Sequence, residues 1–160
     1  PTLEHKADIV RNAIDLAHAI GVAEPRVAIL AAVETVTASM PATLDAAALC
    51  KMADRGQIKG GLLDGPLAFD NAVSLVAAKT KGIRSAVAGQ ADILVVPDLE
   101  SGNMVAKQLE YLADALMAGV VLGARVPIVL TSRADTAETR TASCAIAQLM
   151  AHKRRQGVRL

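Results

Sequence analysis

Arg26-Val27-Ala28-Ile29-Leu30-Ala31-Ala32 (26–32) is apolar at every position after the arginine and has no helical period. A run of that length and composition predicts a strand buried on both faces, as in parallel sheets. Before it, Leu3 to Ile20 places Ile9, Ala13, Ile14, Leu16 and Ala17 largely on one stripe, with Gly21 as the stop, and predicts an amphipathic helix. After it, Ser39-Met40-Pro41 breaks the chain, and Thr43 is suited to cap a helix running to about Arg55. Ile58 to Leu63 predicts a second strand, ended by Asp64-Gly65-Pro66, and helical sequence returns over 67–79. Ala91 to Val96 predicts a third buried strand closed by Pro97. A helix follows over 101–113, with Met104, Leu109 and Leu112 as core contacts. Two short strands, 118–122 and 127–131, precede a last helix from about Asp135 to His152. Strands alternating with helices define an α/β fold: a mostly parallel sheet with helices on both faces, three layers in αβα order. The link from Leu122 to Pro127 is too short for a crossover helix, so that pair is antiparallel or belongs to two sheets.

Composition agrees with this architecture. The 160 residues support one domain, or one and a half. Hydrophobic residues reach 52%, which excludes disorder, and the formal net charge of +1 argues against nucleic-acid binding. One Phe, one Tyr and no Trp leave an aliphatic core, with methionines as gap fillers, and no base-stacking surface. The longest apolar run, 115–124, holds two glycines and is about half the roughly 20 residues a membrane helix needs. Pro1 to Lys6 lack a signal-peptide core, so the chain reads as soluble and cytoplasmic. Cys50 and Cys144 form neither a CxxC site nor a disulfide framework and read as buried thiols.

Common chemical motifs are missing. No GxGxxG follows a strand, and GxxxxGK[ST], HExxH and GxSxG do not occur. None of the three histidines has a Cys or carboxylate at ligand spacing, so no metal is expected. The basic run 152–155 suits the carboxyl end of a helix dipole.

Three segments carry candidate chemistry. In Lys59 to Asp70, a strand runs into a Gly-Pro turn and then a helix, placing Asp64 and Asp70 near the carboxyl end of the strand, where open α/β folds bind ligands, with Gly65 and Pro66 of the turn as further binding candidates. The competing role for Asp70 is helix capping. In Pro97 to Asn103, Ser101, Gly102 and Asn103 open a helix whose free N–H groups could receive a phosphate or carboxylate. Here Ser101 as an ordinary cap is the alternative. In Thr131 to Glu138, Arg133 emerges at a strand end beside the Thr131 and Ser132 hydroxyls, a set suited to phosphoryl or carbonyl oxygen. Asp135 and Glu138 also have capping-box spacing.

Together these segments resemble the phosphate acetyl/butyryltransferase family. The matching strings are MPATLDAAALCKMADRGQIKGGLLDGPLAFDNAVS (40–74), AGQADILVVPDLESGN (88–103) and PIVLTSRAD (127–135), the last and the long first one being more similar to butyryl enzymes. The resemblance implies an isocitrate-dehydrogenase-like fold and interconversion of acyl-CoA plus phosphate with acyl phosphate plus CoA. CoA is then a substrate, and no cofactor is implied. It implies Ser132 and Arg133 as stabilisers of developing charge, and a carboxylate as the base for the CoA thiol. Acetyl enzymes carry that base six residues after the arginine, where this chain has Thr139, leaving Asp135 or Glu138 for the role.

Family members are about twice as long, with two domains. The implied organisation is a complete second domain (1–125), then a strand and helix (126–160) that complete a first domain supplied elsewhere. Homodimers are implied too. A non-catalytic dimerisation or CoA-binding module and a fold-related NAD(P)-dependent dehydrogenase are the alternatives.

Overall fold

A computed structural model of the chain describes residues 1–157. Its sheet is built on β1 (Arg26–Leu30), flanked by β2 (Leu62–Leu67) and β3 (Ile93–Val95) in the order β2-β1-β3, all parallel. The stretch that decides the fold is therefore the central strand. Its side chains divide the core as a pleat requires. Val27 and Ile29 join Val10 and Ile14 of α1 (Leu3–Ala19) and Leu49 of α2 (Pro41–Asp54). Ala28 and Leu30 join Ala72 of α3 (Phe69–Val73), Ala78 of α4 (Leu75–Thr80) and Val87 on the other face. Helices thus cover both faces, as expected.

Local chemistry sets the helix ends. Thr2 Oγ1 accepts from the His5 N–H at 3.3 Å and His5 Nδ1 accepts from the Thr2 N–H at 3.3 Å, a capping box that starts α1. Lys6 is buried, and its ammonium donates to Asp45 Oδ2 at 2.7 Å, tying α1 to α2. Pro41 occupies the first turn of α2, whose N-cap is Met40, so Thr43 is not the cap. Its hydroxyl instead accepts from the Thr37 N–H at 3.0 Å and lies within hydrogen-bond range of the Met40 and Thr37 carbonyls, bracing the loop after β1.

The second strand corrects the sequence reading. Asp64-Gly65-Pro66 does not end it; all three lie inside β2, where Asp64 pairs with Ala28 and the register shifts before Leu30–Leu67. Proline is tolerated because β2 is an edge strand with an irregularity at that point. Glycine is required because a Cβ at Gly65 would lie 2.7 Å from the Ile29 carbonyl oxygen. The helix expected over 67–79 is divided at Ser74, whose backbone is extended and whose hydroxyl accepts from the Ala77 N–H to start α4. At Gly89, with φ +78°, a Cβ would meet Leu75 backbone atoms at 2.6 Å, so the loop before β3 nests on the start of α4.

Beyond β3 the chain forms α5 (Leu99–Leu112), the antiparallel pair β4 (Val120–Val121) and β5 (Ile128–Val129), and α6 (Ala137–Arg155). The antiparallel alternative is thus the one realised. Ser143 Oγ on α6 accepts from the Gly119 N–H at 2.9 Å, fastening the helix to the hairpin. Met104, Leu109 and Leu112 are exposed, contrary to expectation, and α5 has no buried residue. No helix among the described residues is long and apolar enough to cross a membrane.

Candidate active site

The three candidate segments fare differently. In the first, Asp64 and Asp70 are separated by the extra length of β2. Asp64 lines a cavity of about 360 Å³ with Gly61, Leu62, Asp54, Arg84 and Ser85, at the amino end of the strands. The expected placement of Asp64 near the carboxyl end is therefore corrected: it lies mid-strand opposite Ala28, and Gly65 and Pro66 follow it inside β2. Asp70, on α3, does lie past the carboxyl end of β2. It is not an N-cap, since Ala68 holds that position, and its carboxylate accepts from the Asn71 N–H at 2.9 Å.

Around Asp70 the structure gathers residues that the sequence did not single out. Lys81 Nζ lies 3.6 Å from Asp70 and 3.4 Å from Glu34, and Asn71 Nδ2 donates to Glu34 at 3.4 Å. Asn71 is fully buried, and its Oδ1 has no protein partner. The usable signal was position: Glu34 follows the central strand at its carboxyl end, where ligands of open sheets lie.

The second segment is occupied by its own cap. Asp98 is the N-cap of α5, and its Oδ1 accepts from the Ser101 N–H at 2.8 Å and lies 2.7 Å from the Ser101 hydroxyl. Hydrogen bonds from the Ser101 backbone and then its hydroxyl hold the Asp98 carboxyl below the usual carboxylate range. Ser101 is thus the third helical residue, not the cap, and a side chain already takes the place offered to an incoming anion. Gly102 sits against the residue that follows β3, since a Cβ there would lie 2.9 Å from Val96 Cγ2. Asn103 is exposed on α5.

The third segment forms a constructed hollow. Thr131, Ser132 and Asp135 line a cavity of about 320 Å³ together with Lys107, Glu110 and Thr139. A tight turn shapes its rim: Asp135 Oδ2 accepts from the Ser132 N–H at 2.6 Å, and the Asp135 N–H donates to the Ser132 carbonyl at 3.2 Å. Arg133 is exposed within this turn and has no ion pair among the described residues. The Asp135–Glu138 capping box does not form, because Thr136 caps α6 by accepting from the Thr139 N–H.

The two candidate bases face different spaces. Asp135 shares the cavity of Ser132, whereas Glu138 lines a neighbouring one of about 400 Å³ with Tyr111 and Asp114. Buried Thr139 and half-buried Glu110 border both. Lys107 and Glu110 are additions from the structure. Lys107 Nζ donates to Glu110 at 2.6 Å, and that bond, opposed by desolvation and helped by the charge of Glu110, raises the lysine above its ordinary range.

The thiols are far apart in character. Cys50 is half-buried, its Sγ 3.7 Å from the Gly65 carbonyl, and burial followed by the charges of Asp64 and Asp54 pushes it up to about 12. Cys144 is exposed on α6, which corrects the expectation that both are buried.

The phosphate acetyl/butaryl transferase family profile matches residues 1–148, and the chain belongs to that family. It is 70% identical to a phosphate acetyltransferase of Rhizobium meliloti, over 97% of this chain and 49% of that protein. It is 52% identical to a phosphate butyryltransferase of Clostridium acetobutylicum, over 94% of this chain and 50% of that one. The fold is similar to a branched-chain phosphotransacylase from Enterococcus faecalis V583, with TM-score 0.85 and 34% identity, covering 95% of this chain and 54% of the other. A phosphotransacetylase from Streptococcus pyogenes matches with TM-score 0.76 and 29% identity, covering 94% and 46%. The chain spans about half the length of the curated relatives it matches.

Proposed function

We propose that this chain supplies the Ser132–Arg133 half of a phosphate acyltransferase site, which interconverts acyl-CoA plus phosphate with acyl phosphate plus CoA. The observation that carries this reading is the turn in which Asp135 accepts from the Ser132 N–H at 2.6 Å while Thr131, Ser132 and Asp135 line one cavity. A hydroxyl lining the cavity and an exposed guanidinium on the same turn are suited to the oxygen charge that develops when a thiol attacks an acyl phosphate. Asp135 is favoured over Glu138 as the thiol base because it shares that cavity. Asn103, Asp70 and Thr131 serve substrate binding in this reading, while Asp64, Gly65, Pro66, Ser101 and Gly102 keep supporting roles in strand and helix packing.

A first domain, absent from residues 1–160, completes the site and packs on the strand and helix of 126–160. Exposed apolar residues of α5 and β5 and the open face of α6 also suit association into a homodimer. Cytoplasmic residence follows from the acyl-CoA substrate class.

The test is thiol release from acetyl-CoA and butyryl-CoA in phosphate buffer. The 160 residues alone are expected to be inactive. A chimera in which they replace the matching half of the Rhizobium meliloti enzyme should be active, and Ser132→Ala or Arg133→Gln should lower its kcat about 10²- to 10³-fold. A folded but inactive chimera would sink the reading.

A further inference from the structure

We infer that Lys107 is a third anchor for the substrate's phosphoryl group, acting with Ser132 and Arg133; this inference rests on the acyltransferase reading above. Lys107, on α5, lines the same cavity as Ser132 and Asp135. An ammonium has three N–H donors. One is spent on Glu110 at 2.6 Å, which leaves two for the cavity. That same bond holds the side chain in one direction, so little ordering remains for a ligand to impose.

The charge balance also fits. Lys107 is matched by Glu110, and Asp135 accepts from the Ser132 N–H on the facing turn, which also carries the exposed Arg133. An incoming phosphate therefore meets an ammonium fixed by Glu110 and an exposed guanidinium carried on the 131–135 turn. A compact point charge suits a phosphoryl oxygen, and a planar guanidinium suits two. Asn103 lies one turn before Lys107 on α5, so i and i+4 bring the second candidate segment to the same helix face as the cavity lysine. The helix thereby links two segments that the sequence presents as unconnected.

The test is titration of the 160-residue chain with inorganic phosphate at constant ionic strength. Amide shifts of Ser132, Arg133 and Asp135 are followed by NMR, with chloride as the control. Lys107→Met should weaken phosphate binding about tenfold, the scale of one charged hydrogen bond. Lys107→Arg should restore most of it, and Glu110→Gln should tighten it by removing the negative charge beside the ammonium, while the amide oxygen still accepts from Nζ and keeps it in place. Lys107→Gln, with thermal melts of each variant, separates a binding loss from a folding defect. Unchanged affinity in both Lys107→Met and Lys107→Gln overturns the inference. If Arg133→Gln abolishes the shifts while those two do not, the acyltransferase reading stands and only Lys107 is removed from it. If the unaltered chain shows no phosphate-dependent shift at the turn, the Lys107 inference is overturned, while the acyltransferase reading, whose site a first domain completes, is judged by the chimera.

Discussion

Residues 1–96 and 97–157 are packed very differently. Every buried apolar side chain described lies between Ala7 and Val95, except Met150. The first region closes two cores on a central strand, with Val27, Ala28 and Leu49 essentially without solvent contact. In the second region α5 buries nothing, Leu99 and Leu112 are each 84% exposed, and β4 and β5 are two residues long. Yet that thinly packed region holds Ser132, Arg133, Asp135 and Lys107. The densely packed part thus carries the Asp70, Glu34, Asn71 and Lys81 group on its scaffold, while the Ser132 turn and Lys107 sit where the apolar surroundings lie open.

The contrast is best broken by truncating one leucine in each region. Leu49→Ala should cost about 2–5 kcal/mol, since it empties a filled site between α2 and β1. Leu112→Ala should stay within about 0.5 kcal/mol, as surface substitutions do. Chemical denaturation measures both, and similar losses would mean that α5 packs on something in solution.

A smaller effect is expected at the polar tie inside the scaffold. Asp45→Ala strands the buried Lys6 ammonium and should cost about 2 kcal/mol, below the range for fully buried pairs because Asp45 is partly exposed. Lys6→Met should cost less, because it leaves an accessible carboxylate and an apolar side chain in an apolar place. The same denaturation curves report the difference, and a reversed order would remove the pair from the scaffold's account.

The thiols give the smallest and most local comparison. Cys144 should be alkylated by iodoacetamide at mildly alkaline pH well before Cys50, read by mass spectrometry. Cys50 titrates near 12 when folded, whereas an unfolded thiol releases its proton near 8.5. Stability from this group is therefore complete below the unfolded value and is lost as pH rises from about 9 toward 12. Melting temperatures over that span should fall less steeply in Cys50→Ala, and identical slopes would contradict the burial of this sulfur.

Much of the scaffold was legible because its signals are local. The 26–32 run, the stripe of α1 and the stop at Gly21 each express burial or backbone preference within a few residues. Reading failed where long-range packing overrode turn chemistry. Asp64-Gly65-Pro66 has the composition of a turn, but Gly65 is there to pass close to Ile29, and the edge position of β2 accommodates the proline. Likewise, α5 has a helical apolar stripe that the described residues leave uncovered. Periodicity shows that a face is apolar, not what covers it.

Of the candidate site, the sequence alone determined the residues whose chemistry is carried by a short motif: Ser132, Arg133 and Asp135 in one turn, and Asp70 past a strand. Only the tertiary structure decided their company. It joined Lys107 and Glu110 to the turn, gave Asp135 and Glu138 separate cavities, and set Glu34, Asn71 and Lys81 around Asp70. The physical reason is range. Caps, turns and strand runs are settled by neighbours a few residues away. A shared cavity depends on how whole elements lie together, which no local pattern encodes.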